Sequence, residues 1–404
     1  MSDGLARWTR VHLDRAARVG KPFEGRLVLP NGFAVERTEG LAVVDLHFDT
    51  ASTSVIGTPT EAGEFEILLH GSMGGHAATL VCTLPVTPDP ASLWKDVPSD
   101  PNGEYARADN YATEVRATDG SRWVAASRRG RRHAHQGAYR DDAVHVVTDT
   151  PGGWHVAAVA DGAGSAEFSR AGAAEATRTA AEALAESLGS VGGEDRTALS
   201  EEQAFEVMTG AVSDAVTRLD ALATTEARDI RLYATTLLLV ATRPVESGWQ
   251  VVTYSIGDGA IAIFDADRRA LTPMSVADGG EFAGETRFLG RDVLNDAAGA
   301  RRRLFVATVP SMTAVMAMTD GITDAKFDTD QAQAEVGGWV ALWNEFGEAA
   351  TATDDGQALL GALDFLVQAE HDDRTLAVFP SPGCARRVRF RTPTRRTSGS
   401  PTRT

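Results

Sequence analysis

Two long Ala/Leu/Glu-rich stretches, Glu167 to Leu188 and Glu201 to Ala223, follow one another directly in the middle of a run of short apolar segments. Their apolar residues recur near i, i+3 and i+4, the spacing of an amphipathic helix. A parallel wheel alternates strand and helix one for one, so two consecutive helices exclude it. They favour an α+β sandwich, a four-layer αββα arrangement with helices outside two mainly antiparallel sheets. Strands are expected at RWVAASRRG, DAVHVVTD, WHVAAVADG, TTLLLVATRP, WQVVTYSIGDGAIAIFDA, RRLFVATVP, TAVMAMTDG and RTLAVFP, and a last helix over about Asp355 to Ala369. No internal repeat is present.

Upstream the pattern differs. Between about Gly20 and Pro88, short alternating runs (FEGRLVL, GLAVVDLHF, EFEILLHG, AATLVCTL) are separated by Gly, Pro, Asn and Thr clusters, the signature of a small all-β sandwich. The stretch from Thr87 to Asn110 is rich in Pro, Asp and Asn and reads as a linker. With 404 residues the chain has room for two or three folded units. The expected division is a β-sandwich over 18–88, a linker over 89–115, a mixed domain over 116–381, and a disordered Arg/Thr/Ser-rich tail over 382–404.

Composition narrows the function classes. Basic residues number 39 against 56 acidic, a net charge of −17, which argues against nucleic acid as a partner. The tail runs against this balance, with seven arginines and no acid from Arg386 to Arg403. Two cysteines, Cys82 and Cys384, can form neither a disulfide framework nor a cysteine-based zinc site. No segment approaches the roughly 18 to 20 uncharged apolar residues that cross a bilayer, and the start lacks the apolar stretch of a signal peptide. A cytoplasmic protein with no membrane partner is expected.

The chemistry is expected at acidic strand ends. Seven Asp-Gly pairs occur, and by default each is a turn. Asp161 and Asp320, however, each end an apolar strand; Asp141 and Asp142 open AVHVV, and Asp372 and Asp373 precede RTLAVF. Converging carboxylates repel one another and rise in pKa unless a hard cation neutralises them. With oxygen donors and no cysteine, the fitting cations are Mg²⁺ or Mn²⁺. The GDG at Gly257 to Gly259 ends its own strand and reads as a structural hairpin rather than a ligand.

In order, GRRHAHQGAYRDDAVHVV, VAAVADGAGSAEFSRAGA, YATTLLLV, YSIGDGAIAIF, GETRFLG, MAMTDGITD and HDDRTLAVF resemble the motif series of the metal-dependent PPM, or protein phosphatase 2C, family. The Asp-Gly-Ala-Gly-Ser motif is most similar to its bacterial branch, and the resemblance runs from about Ser121 to Pro380. It implies hydrolysis of phosphoserine or phosphothreonine in a phosphorylated protein, opposed by a Ser/Thr kinase, by a water activated between two Mn²⁺ or Mg²⁺ ions, with a third left open. It further implies Asp142 and Asp161 as bridging ligands, Gly162 as a carbonyl ligand, Asp320 and Asp372 completing the second metal, and Asp141 orienting water from the outer shell. The N-terminal stretches VGKPFEGRLVLP and IGTPTEAGEFEILLHG resemble immunoglobulin-like, cadherin-like modules, which implies binding of a protein partner.

The chain departs from the family pattern in three places. Ala163 stands where some members have a histidine after Asp-Gly. Gly137 stands where an arginine usually grips phosphate four residues before the acidic pair. Asp373 stands where Asn often follows the last ligand. His133, His135 and Arg140 are the candidate replacements for the arginine; on an extended strand the two histidines share a face, and His135, closer to the acidic pair, is the favoured catalytic or phosphate-holding residue. The run Arg128, Arg129, Arg131 and Arg132 reads as a solvated edge or as an attractor for phosphate. A catalytically inactive pseudophosphatase acting as a binding module is the main alternative function, and a zinc hydrolase built on the His133/His135 pair a more distant one.

Overall fold

The computed structural model describes residues 9–191, 196–277, 286–327, 329–367 and 370–382. The tail from Arg386, Cys384 and the first residues of GETRFLG lie outside them. The chain divides into two compact units, Met1–Lys95 and Asp96–Thr404.

The first unit is all-β. Its strands are β1 (Thr9–Leu13), β2 (Ala17–Arg18), β3 (Phe23–Val28), β4 (Phe33–Glu39), β5 (Leu46–Asp49), β6 (Ser54–Gly57), β7 (Gly63–Met73) and β8 (His76–Thr87). They hydrogen-bond in the order β4-β7-β8-β1-β3-β6-β5, with β2 on β8. Strand β1 runs parallel to β8 over Thr9–Val11 and then antiparallel to β3 at His12 and Leu13, so it passes from one half of the sheet to the other. Alternate residues face inward, as in β3, where Phe23, Gly25 and Leu27 are buried and Glu24, Arg26 and Val28 are exposed. The core gathers Val44, Val55, Ile67, Leu69, Cys82 and Leu84.

The second unit contains β9 (Asn110–Arg116), β10 (Arg122–Arg128), α1 (Arg131–Gln136), β11 (Ala143–Val147), β12 (His155–Ala160), α2 (Ser169–Val191), α3 (Glu201–Thr225), β13 (Leu237–Val245), β14 (Gly248–Ile256), β15 (Ala260–Asp265), β16 (Ala270–Pro273), α4 (Arg291–Asn295), α5 (Ala297–Arg303), β17 (Leu304–Val309), β18 (Ala314–Met318), α6 (Asp320–Lys326), α7 (Asp330–Gln333), α8 (Val336–Thr351), α9 (Gln357–Ala362) and β19 (Arg374–Pro380). One sheet has the order β11-β12-β13-β14-β17 and the other β16-β15-β18-β19-β10-β9. Every neighbouring pair is antiparallel.

Period-two alternation sorts the side chains into layers. Val156 and Ala158 of β12 and Leu237, Leu239 and Ala241 of β13 pack under α2 and α3 with Leu184, Leu188, Met208 and Val212. Their alternates, Ala157, Val159, Leu238 and Val240, meet Val315, Ala317, Ala377 and Phe379 of the other sheet. On its far face the second sheet is covered by Trp339, Trp343, Phe346 and Leu359 of α8 and α9. Central strands buried on both faces must be apolar throughout, which is why they read as unbroken hydrophobic runs. Helix α3 begins at a reciprocal capping box, Ser200 with Gln203.

The stretch expected as a linker splits between the units. Its second half is bonded into the second unit: Val97 N–H donates to the Ala134 carbonyl (2.9 Å), Arg129 reaches Asp96 (2.7 Å) and Asp109 (3.0 Å), and Arg170 holds the Glu104 carbonyl (2.6 Å). Strand β9 starts at Asn110, inside the range 89–115. Pro and Asp content marks irregular backbone; whether that backbone is anchored depends on buried arginines elsewhere in the chain.

Candidate active site

Strand register brings the expected aspartates together. Ala143 of β11 pairs with Ala160 of β12, so Asp142 and Asp161 flank that pair at one end of the first sheet. In the second sheet Met318 of β18 pairs with Leu376 of β19, which places Asp320, first residue of α6, near Asp372. The two sheets present these ends to each other, and the charges of Asp142, Asp161, Asp320 and Asp372 act on one another there.

Asp142 is fixed before any ligand arrives. It is 1% exposed, and its Oδ2 accepts the hydroxyls of Thr375 (2.7 Å) and Thr319 (2.8 Å), while its buried Oδ1 has no hydrogen-bond partner. Arg140 lies behind it, its guanidinium donating to Ser127 Oγ (2.5 Å) and the Asp142 carbonyl (2.6 Å). Asp161 is tied through its backbone, whose N–H donates to Thr236 Oγ1 (2.8 Å) and whose carbonyl accepts from Thr236 N–H (2.8 Å).

Burial, then the charge of neighbouring carboxylates, pushes four carboxyls up. Asp141 is raised to about 6, Asp142 to about 7 and Asp320 to about 8, and Asp161 lies well above the ordinary carboxylate range. Asp258 adds to the field on Asp320. It sits in the turn after β14, with Thr286 donating to its Oδ2 and a buried Oδ1 without a partner. The GDG is thus a hairpin that also delivers a carboxylate to the cluster, a role that its turn-like sequence concealed.

Asp373 neither faces solvent nor joins the raised group. Burial alone would raise its pKa, but the imidazole of His133 and the N–H groups of Gly130 and Asp141 hold it below the ordinary value. Burial disfavours charge on His133, yet its bond to Asp373 and the charges of Asp141 and Asp372 outweigh that and lift it to about 9. Among the described residues, the group of three whose candidate ligand atoms all lie within 4.8 Å of one another is His133, Asp372 and Asp373.

The extended strand expected to turn His133 and His135 to one face is not formed. Residues Arg131–Gln136 are helix α1, not a strand, so a two-residue step turns the side chain by about 200° rather than restoring its direction. His133 is buried against Asp373 and His135 is exposed. Gly137, at the position of the expected arginine, closes that helix with φ +69, a conformation that arginine rarely adopts. Of the basic run, Arg128 and Arg131 pair with Asp364, and Arg129 is buried among Asp96, Asp109 and the Ala138 carbonyl. Arg132 is exposed, and a terminal nitrogen of its guanidinium lies 3.0 Å from where a Cβ on Gly164 would stand, over the Asp-Gly-Ala-Gly-Ser loop.

The family model of protein phosphatase 2C matches residues 129–363, more than half of the chain. The chain belongs to the protein phosphatase 2C family. Its members are metal-dependent protein serine/threonine phosphatases that act on phosphorylated proteins. Among solved structures the chain is similar to a bacterial serine phosphatase (14% identity, TM-score 0.41, covering 64% of this chain and 96% of that one). It is also similar to serine/threonine phosphatase Stp1 from Staphylococcus aureus (12%, TM-score 0.38, 68% and 95%) and to serine-threonine phosphatase 2C from Toxoplasma gondii (14%, TM-score 0.44, 67% and 99%). No curated protein matches the chain. Among the described residues no helix is long and apolar enough to cross a membrane.

Proposed function

We propose that this protein phosphatase 2C family member hydrolyses phosphoserine or phosphothreonine in proteins, using two Mn²⁺ or Mg²⁺ ions. The observation that carries the reading is the raised carboxylate cluster, in which the buried atoms Asp142 Oδ1 and Asp258 Oδ1 both lack donors. An all-oxygen set whose members repel each other fits a hard divalent cation. Asp142, Asp161, Asp320, Asp372 and the Gly162 carbonyl would hold the ions, Asp141 would orient water from outside them, and Asp258 is placed to extend the set. When bound, the ions supply a nucleophilic water at neutral pH and neutralise phosphoryl charge.

The chain's own residues do the positioning. The Thr319 and Thr375 hydroxyls fix one oxygen of Asp142 and so aim the other. Arg132, with no ion pair among the described residues, would receive the incoming phosphoryl group beside Gly164 in place of the absent arginine. The N-terminal β unit is proposed to bind a protein partner, and the substrate to be phosphorylated by a cognate Ser/Thr kinase in the cytoplasm.

The test is phosphate release from an aryl phosphate and from a phosphothreonine peptide with added Mn²⁺. Metal-dependent turnover that EDTA abolishes is expected. Absence of turnover at saturating Mn²⁺ would favour the pseudophosphatase reading, and turnover surviving excess EDTA would overturn the metal mechanism.

A further inference from the structure

The reading below rests on the metal site proposed above and concerns two residues outside its ligand set, Asp373 and His133. Each oxygen of the Asp373 carboxylate has two N–H groups directed at it. Oδ1 accepts the Gly130 N–H (2.5 Å) and faces His133 Nδ1 (3.0 Å), and Oδ2 accepts the Asp141 N–H (2.6 Å) and, more weakly, that of Asp142 (3.4 Å). One side chain at the start of β19 therefore closes both ends of the segment from Gly130 to Asp142, which contains α1 and the acidic pair.

The same seam is tight elsewhere. A Cβ on Gly130 would stand 2.4 Å from the carbonyl carbon of Asp372, and the Arg132 N–H donates to the His371 carbonyl (3.1 Å). The far nitrogen of His133, Nε2, lies 3.8 Å from Asp141 Oδ2, so the imidazole spans the gap between Asp373 and Asp141. With N–H groups at both oxygens, the site needs a carboxylate. An amide would turn its NH₂ toward one pair of donors, and an unmatched buried polar group is costly.

We infer that Asp373, braced by His133, is a positioning residue that sets where Asp141 and Asp142 stand against the metal-binding carboxylates. His133, Asp372 and Asp373 are accordingly not a separate metal site: the oxygens of Asp373 are already occupied by N–H groups, which point their protons where a cation would have to sit.

The test is direct Mn²⁺ binding by the full-length protein, by titration calorimetry and by the electron paramagnetic resonance of free Mn²⁺, well below the unfolding temperature. Asp373→Ala and His133→Ala are expected to raise the Mn²⁺ dissociation constant about 10- to 100-fold, the range for outer partners of metal ligands, without changing the number of ions bound. Asp373→Asn should weaken binding as well. His133→Asn, whose amide nitrogen reaches the place of Nδ1, should keep most of the affinity that His133→Gln loses. Unchanged affinity in folded Asp373→Ala overturns the inference, as does the loss of one bound Mn²⁺ in His133→Ala, which would make His133 a ligand. If Asp373→Ala does not fold, equal affinities for His133→Asn and His133→Gln overturn it instead. A wild-type protein that binds no Mn²⁺ overturns the proposed function and this inference together, whereas the other failures strike the inference alone.

Discussion

At the residue scale, the cluster works against the fold that holds it. Asp161 and Asp320 are half-buried, and desolvation followed by the charge of neighbouring carboxylates raises both, so a neutral isostere relieves repulsion in the metal-free protein. Asp161→Asn and Asp320→Asn are therefore expected to lower kcat by several orders of magnitude while unfolding, without metal at neutral pH, no earlier than wild type. Thermal unfolding in EDTA beside steady-state kinetics checks both halves. Arg132 and His135 offer a contrast along one short helix. Arg132→Ala should raise KM for an aryl phosphate about tenfold with a smaller fall in kcat, the pattern of lost ground-state binding. His135→Ala should leave both constants near wild type, because His135 is exposed on a turn of the helix facing away from His133.

At the element scale, α1 shows why a short motif misleads. The segment Arg131–Gln136 carries charged residues and no apolar period, so nothing local separates strand from helix; Gly130 pressed against the Asp372 backbone and Gly137 in the left-handed region decide it. Helices α2 and α3 announce themselves because each has an apolar stripe and α3 a capping box. Ser200→Ala removes the acceptor for the Gln203 N–H (3.2 Å) and should cost about 1 kcal/mol of stability, read from denaturant midpoints. Since α3 covers the outer face of the first sheet, phosphatase activity should be unaffected by that change.

At the scale of the whole molecule, stability in the absence of metal should depend strongly on pH. Asp141, Asp142 and Asp320 have folded pKa values of about 6, 7 and 8, above that of an unfolded aspartate, so the folded state binds more protons over this window. Stability then falls as pH rises from about 4 to 8. His133, raised to about 9, adds stability that is fully present below about 6.5 and is lost as pH rises through its folded value. Melting temperatures in EDTA should thus decline from pH 5 to pH 9, and Mn²⁺ should flatten the decline. The irregular stretch ahead of β9 gives a second test: a chain beginning at Asp96 keeps the Asp96 and Asp109 pairs of buried Arg129 and should unfold cooperatively, whereas one beginning at Tyr111 strands that guanidinium and should melt several degrees lower. The sequence by itself determined the layers, because strands buried on both faces must be apolar and helices covering them must carry a stripe. It also determined which aspartates stand at strand ends, since an apolar run that stops at a carboxylate leaves few other places for it. Only the tertiary structure decided that the charge of Asp258 acts on Asp320, that Asp373 accepts N–H groups from both Gly130 and Asp141, and that the Arg132 guanidinium lies beside Gly164. Those assignments depend on which backbone amides and side chains distant segments bring together, and local sequence carries no record of that.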